Sequence, residues 1–144
     1  MTGKADFLST MRHLYEGESS PFGIEVAHDI TFRDPLVVVH GRPQVISMFR
    51  RLNRLFPYSK IQRFDQIDAS ANDYDLLVHY RRKPTAAPRP FHTRLQLQVS
   101  DDRLVSIVEH WQSPLSFSAN AGSRLTELAR RGLGRLLSSS RPGR

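Results

Sequence analysis

Residues 32–45 read FRDPLVVVHGRPQV, and the way this stretch turns decides what the rest of the chain can be. Phe32 and Leu36–Val39 are β formers on either side of an Asp34-Pro35 pair. That pair is turn chemistry: an aspartate accepts from backbone N–H groups two or three residues on, and proline fixes its own φ. Gly41 closes the β segment. Pro43 then suits the first turn of a helix, where a missing N–H has no partner to lose. Beyond it Val45, Met48, Phe49, Leu52 and Leu55–Phe56 fall on one helical stripe that stops at Pro57. A short β pair feeding directly into an amphipathic helix is therefore expected. Asp34 poses the functional question, because it is either a carboxylate in a pocket or the residue that caps the turn.

Working outward, Phe7, Leu8, Met11, Leu14 and Tyr15 lie on one face of an N-terminal helix. Gly17 to Gly23, with Ser19, Ser20 and Pro21, breaks it, and Ile24–Ala27 reads as a second short helix or an extended lead-in. After Pro57 the apolar period changes from helical to two. Tyr58–Ile67, Tyr74–Arg82, Phe91–Val99 and Leu104–Gln112 are the expected strands, joined through Asn72-Asp73, a Lys83–Pro90 loop with three prolines, and Ser100-Asp101-Asp102. Short loops between neighbouring strands imply an antiparallel, twisted sheet. Helices, a β pair, a helix and a long meander make the fold class α+β.

The chain has 144 residues, enough for one domain with a real core, and its 39% hydrophobic and 24% charged content is that of a globular protein. No apolar run approaches the ~18 residues of a membrane span. The first residues carry no continuous apolar block and do not read as a signal peptide, so an intracellular, cytoplasmic setting is the default expectation. With no cysteine, disulfides and thiolate metal sites are excluded. The net charge of +7 is unevenly spread. Residues 1–117 hold 15 Lys/Arg against 13 Asp/Glu, and residues 118–144 hold six arginines against one glutamate. The expected division is a domain over 1–117 and a basic segment over 118–144.

A helical start, a strand ending in Asp-Pro, His40-Gly41-Arg42 leading into a helix, a meander, and a last strand ending Glu109-His110-Trp111-Gln112 together resemble the nuclear-transport-factor-2-like superfamily. Within it the likeness is to SnoaL-like polyketide cyclases and ketosteroid isomerases, over roughly residues 5–114. The resemblance implies a cone-shaped curved antiparallel sheet wrapped around N-terminal helices, with a hydrophobic pocket for a small apolar ligand and, in several relatives, a homodimer through the outer face of the sheet. It places Asp34 on the isomerase general base, a carboxylate that moves a proton beside a carbonyl while an acid pair holds the oxyanion. It places Leu95 where the oxyanion acid belongs. Tyr15 is a candidate for the partner tyrosine, although it stands 19 residues before Asp34, closer than the family spacing. Trp111 matches an aromatic that lines the pocket. One catalytic position of three is kept, so the resemblance implies the fold and a pocket rather than steroid isomerisation.

Read from the residues, Glu109 and Trp111 alternate onto one face of the last strand with Val105 and Ile107. On a concave face Glu109 is an acid or base among apolar groups; otherwise it pairs with an arginine. Phe32, His40, Leu95, Ile107 and Trp111 are the candidate pocket lining, around Asp34, Tyr15 and Glu109. His79 and His92 could face each other, but zinc needs three or four ligands and no third stands at a fixed spacing, so neither metal nor another cofactor is expected. Nucleic acid is not expected either, since the aromatics sit at core spacing and are not interleaved with the arginines. In the C-terminal segment Leu125, Leu128, Ala129, Leu133, Leu136 and Leu137 share one half of a helical wheel, and Arg124, Arg130, Arg131 and Arg135 the other. An extra amphipathic C-terminal helix follows. It packs its leucines on the domain, or meets a partner protein or anionic membrane surface through its arginines. Two functions are thus carried forward: binding and acid–base transformation of a small apolar molecule centred on Asp34, or a non-catalytic adaptor using the basic helix.

Overall fold

Alternation of buried and open positions from Asp73 to Tyr80 sets the plan of the molecule: Tyr74, Leu76, Val78 and Tyr80 point into the core, and the residues between them face outward. The computed structural model describes residues 3–17, 22–68 and 71–112. Its elements are α1 (Lys4–Glu16), β1 (Glu25–Arg33), β2 (Val38–His40), α2 (Arg42–Leu55), β3 (Lys60–Asp68), β4 (Asp73–Tyr80), β5 (Arg89–Ser100) and β6 (Arg103–Trp111). All six strands form one sheet in the order β2-β1-β6-β5-β4-β3. The expected C-terminal helix, with Arg124, Arg130, Arg131 and Arg135, lies outside the described residues.

Every pair joined by a short loop is antiparallel, as the loop lengths require. The exception is β1 against β6, which is parallel. No short connection links those two strands, so nothing local dictated their direction. The segment from Ile24, read as helix or lead-in, enters β1 as strand. Its Val26, Ala27, Ile30 and Phe32 are buried, and a register shift between Val26 and Thr31 changes which face the side chains take. Further shifts interrupt β3/β4 and β5/β6. Extra residues of this kind bend a strand and increase its twist, which curves the sheet around the helices.

Both helices pack on the concave face. Phe7 of α1 meets Tyr74 at 5.6 Å between ring centroids, and Tyr74 stacks on Phe64 at 4.3 Å. Phe49 of α2 makes edge contacts with Phe32 of β1 and Tyr15 of α1. Two glycines allow this closeness. A Cβ on Gly23 would lie 2.4 Å from the Asp6 carbonyl oxygen, so α1 rests directly on backbone there. Gly41, at φ +92°, supplies the turn between β2 and α2 that other residues rarely adopt. The Asp101-Asp102 turn has φ of 53° and 59°, the paired positive values of a tight hairpin.

On the convex face of the meander most side chains are polar, and Leu77 and Val108 stand among them. Arg63 and His92 both reach Asp75, Arg94 reaches Asp73, and His110 pairs with Gln96. His92 is therefore bonded to an aspartate. Among the described residues no three His, Asp or Glu side chains gather as a metal ion would need. Nor is any described helix long and apolar enough to cross a membrane.

Candidate functional site

Tyr15 and Glu109 reach the same point from opposite ends of the described chain. Tyr15 sits on the last turn of α1, on the stripe that carries Phe7, Met11 and Leu14 inward. Glu109 sits on β6 in phase with buried Ile107, directly opposite Leu95 of β5. The Tyr15 hydroxyl donates to Glu109 Oε2 at 2.5 Å, and the Trp111 indole N–H donates to Oε1 at 3.0 Å. The tyrosine is fully buried and the glutamate is 6% exposed. Among the described residues Glu109 thus has no arginine partner, and it is almost wholly removed from water. Both of its oxygens are held by neutral donors.

The surroundings are aromatic on two sides. Tyr15 meets the edge of Phe49 at 4.9 Å, and Phe49 meets Phe32 at 5.5 Å. On the other side Trp111 meets Phe91, Phe91 meets Tyr80, and Tyr80 meets Phe56, with centroids 5.3–5.9 Å apart. A carboxylate in such a place pays for its lost hydration, and burial raises the Glu109 pKa to about 7. The two donors pull it down in part, and the charge of Asp34 adds to the upward shift. Burial, and then the Glu109 charge, hold Tyr15 and Tyr80 well above the usual phenol range.

Asp34 is in electrostatic reach of the pair, but its geometry is that of a turn residue. Its Oδ1 accepts from the N–H of Leu36 at 2.7 Å and of Val37 at 2.8 Å. Among the described residues no donor reaches Oδ2. Burial raises its pKa, and the two backbone bonds oppose that rise.

Of the expected lining, Phe32, Leu95 and Ile107 are buried in the same core cluster, with Trp111 packed against it. His40 does not join them. It is exposed and meets Thr31 through its ring Nδ1, because alternation along β2 turns its neighbour Val39 inward instead. The inward phase expected at Val105 also fails. The register slips between Gln98 and Val99, which puts Leu104 in the core and leaves Val105 half-buried. Tyr80, Phe91 and Phe49 were not among the candidates. Tyr80 and Phe91 each stand in phase with the alternation of their strands, and that is the signal that finds them.

Solved structures of other proteins share this fold. An NTF2-like protein from Anabaena variabilis matches with a TM-score of 0.60 at 18% identity, over 78% of this chain and 95% of its own. A protein with a ketosteroid-isomerase-like fold from Catenulispora acidiphila, solved in complex with trimethylamine, matches at 0.60 and 15% identity, over 84% and 95%. A protein assigned as a SnoaL-like polyketide cyclase from Jannaschia matches at 0.52 and 10% identity, over 74% and 85%. No protein-family model matches the chain, and no curated protein matches it in sequence. The chain has the NTF2-like cone fold. Identities this low speak for fold, and fold alone does not assign chemistry.

Proposed function

We propose that the chain binds a small, largely apolar carbonyl compound between its helices and sheet, with the Tyr15–Glu109 pair as the polar centre. The observation that carries this reading is the 2.5 Å bond between a phenol and a carboxyl group that are both buried in an otherwise apolar, aromatic core. The resemblance put Leu95 at the position of an oxyanion acid; Glu109 stands directly across from it on the next strand. An acid displaced by one strand can do the same work. The neighbours supply a precedent for occupancy of the fold, one with trimethylamine bound and one assigned as a cyclase.

The chemistry follows from the two protonation states. When Glu109 is ionised, Tyr15 donates to it and is unavailable. When Glu109 is protonated, its own O–H can donate to the tyrosine oxygen, and the tyrosine proton turns toward a ligand carbonyl. With a pKa of about 7 both states are populated near neutrality, which suits acid–base catalysis. Asp34 is the base in this reading, taking the proton beside the carbonyl through Oδ2 while Oδ1 keeps the turn. A homodimer through the convex face belongs to the same reading, by resemblance. A second reading, the non-catalytic adaptor with its basic C-terminal segment, is favoured by one observation: Asp34 already serves the turn.

The two readings part in a binding experiment, because the chain has a single tryptophan, Trp111, at the site. Its fluorescence is titrated with 2-naphthol, a phenol that mimics a developing oxyanion, and with naphthalene. Naphthol is expected to bind at least about tenfold more tightly, an advantage lost in Tyr15→Phe. Equal binding of the two probes, or no binding of either, removes the catalytic reading.

A further inference from the structure

At one end of the described strands, the end where the site lies, five basic residues stand without acidic partners, whereas at the other end acids and bases are mixed, with Arg42 paired to Glu25, Arg94 to Asp73, and Arg103 across the ladder from Glu25. Tyr80, whose ring reaches toward the site through Phe91, is followed directly by Arg81, Arg82 and Lys83, and Arg89 is the residue across the ladder from Tyr80. The last turn of α2 brings Arg54 to the same end, since Phe56 packs on Tyr80 and the Tyr58 N–H donates to the Arg81 carbonyl. Arg54, Arg82 and Lys83 are exposed, and Arg81 and Arg89 are half-open. Among the described residues none of these five has an acidic partner. The nearby acid, Glu16, is already engaged by the Ile61 N–H and Lys60. At the opposite end of the sheet stand Glu25, Asp68, Asp101 and Asp102, all exposed. Tyr58, 47% exposed, lies beside the basic loop.

Five cations around one rim, with no acidic partner among the described residues, raise the local concentration of anions and steer them toward it. A cation approaching the same rim is repelled. We infer that the ligand of this site carries an anionic handle, a phosphate or a carboxylate, which Arg54 and the 81–89 loop hold while its apolar part reaches Trp111 and the Tyr15–Glu109 pair. The inference rests on the proposed site and adds the substrate class. It sets this chain apart from the neighbour solved with an amine, because an ammonium ligand would have to pass the five cations.

The test uses three probes with one tail: octyl phosphate, octanol and octyltrimethylammonium, each titrated against Trp111 fluorescence. Octyl phosphate is expected to bind about tenfold more tightly than octanol, and the ammonium probe most weakly. The preference should disappear in the variant Arg81→Gln/Arg82→Gln/Lys83→Gln and on raising NaCl from about 50 to about 500 mM. Lys4→Gln, at the far end, should leave it intact. A parallel titration with inorganic pyrophosphate, followed by backbone amide shifts of residues 81–83, reads the rim without the pocket. If the alkyl probes bind alike whatever their head group and pyrophosphate moves nothing, the anionic handle is refuted while the pocket stands. If pyrophosphate shifts the loop and no alkyl probe affects Trp111, the rim binds anions but the handle inference fails together with the pocket reading.

Discussion

Glu109 is a carboxylate that folding carries into surroundings hostile to its charge, and a stability profile follows from that. Its folded pKa of about 7 stands above the ordinary 4.5. Between those values the native state keeps a proton that the unfolded chain has released, so stability declines as pH rises through this window. At 1.36 kcal/mol per unit the loss is about 3 kcal/mol once Glu109 is ionised. The melting temperature of the wild type is expected to fall between about pH 5 and pH 8, and that of Glu109→Gln to fall less. Subtracting the two profiles removes the histidines, and a difference that does not vary with pH contradicts the account. Tyr15→Phe removes a donor that favours the ionised form, so the decline should extend to higher pH in equilibrium denaturation. At this scale the inward phase of Glu109 and Trp111 was legible from the period of two. The Tyr15–Glu109 bond was not, because 94 residues separate the partners and no local pattern links a helix end to a distant strand.

At the scale of elements, the β1–β2 turn and the seat of α1 are the joints that hold the site in place. Asp34 caps the turn through an oxygen that asparagine also possesses. Asp34→Asn is therefore expected to keep its stability in urea denaturation, while Asp34→Ala should lose about 1–3 kcal/mol as two turn N–H groups go unmet. Equal losses in both variants would mean that the charge, not the cap, matters. Gly23→Ala should cost about 1–3 kcal/mol or more, because the added methyl meets the backbone of α1 at Asp6 rather than a side chain that can move. Helix stripes, the Pro43 start and the meander could be read from period and punctuation. The register shifts could not: each depends on which residue of a neighbouring strand is opposite, and that is why Val105 was expected inward where Leu104 lies.

At the scale of the molecule, the cone encloses an aromatic core whose described members all fall between Phe7 and Ile107. A chain ending at residue 117 is accordingly expected to unfold as one cooperative transition, as circular dichroism would show; aggregation would mean that residues 118–144 cover apolar surface of the domain. Fold class was legible because helical and twofold periods succeed one another in a fixed order. The parallel pairing of β1 with β6 was not, since only closure of the whole sheet brings those strands together. That closure is also what brings a buried acid and phenol together with a half-buried indole. The most direct measurement of it is the 13C titration of the Glu109 carboxyl carbon in labelled protein. A midpoint near the value of about 7 is predicted. A midpoint at the ordinary 4.5 would show that the carboxylate meets water, and the buried Tyr15–Glu109 pair beside Trp111 would not exist in solution.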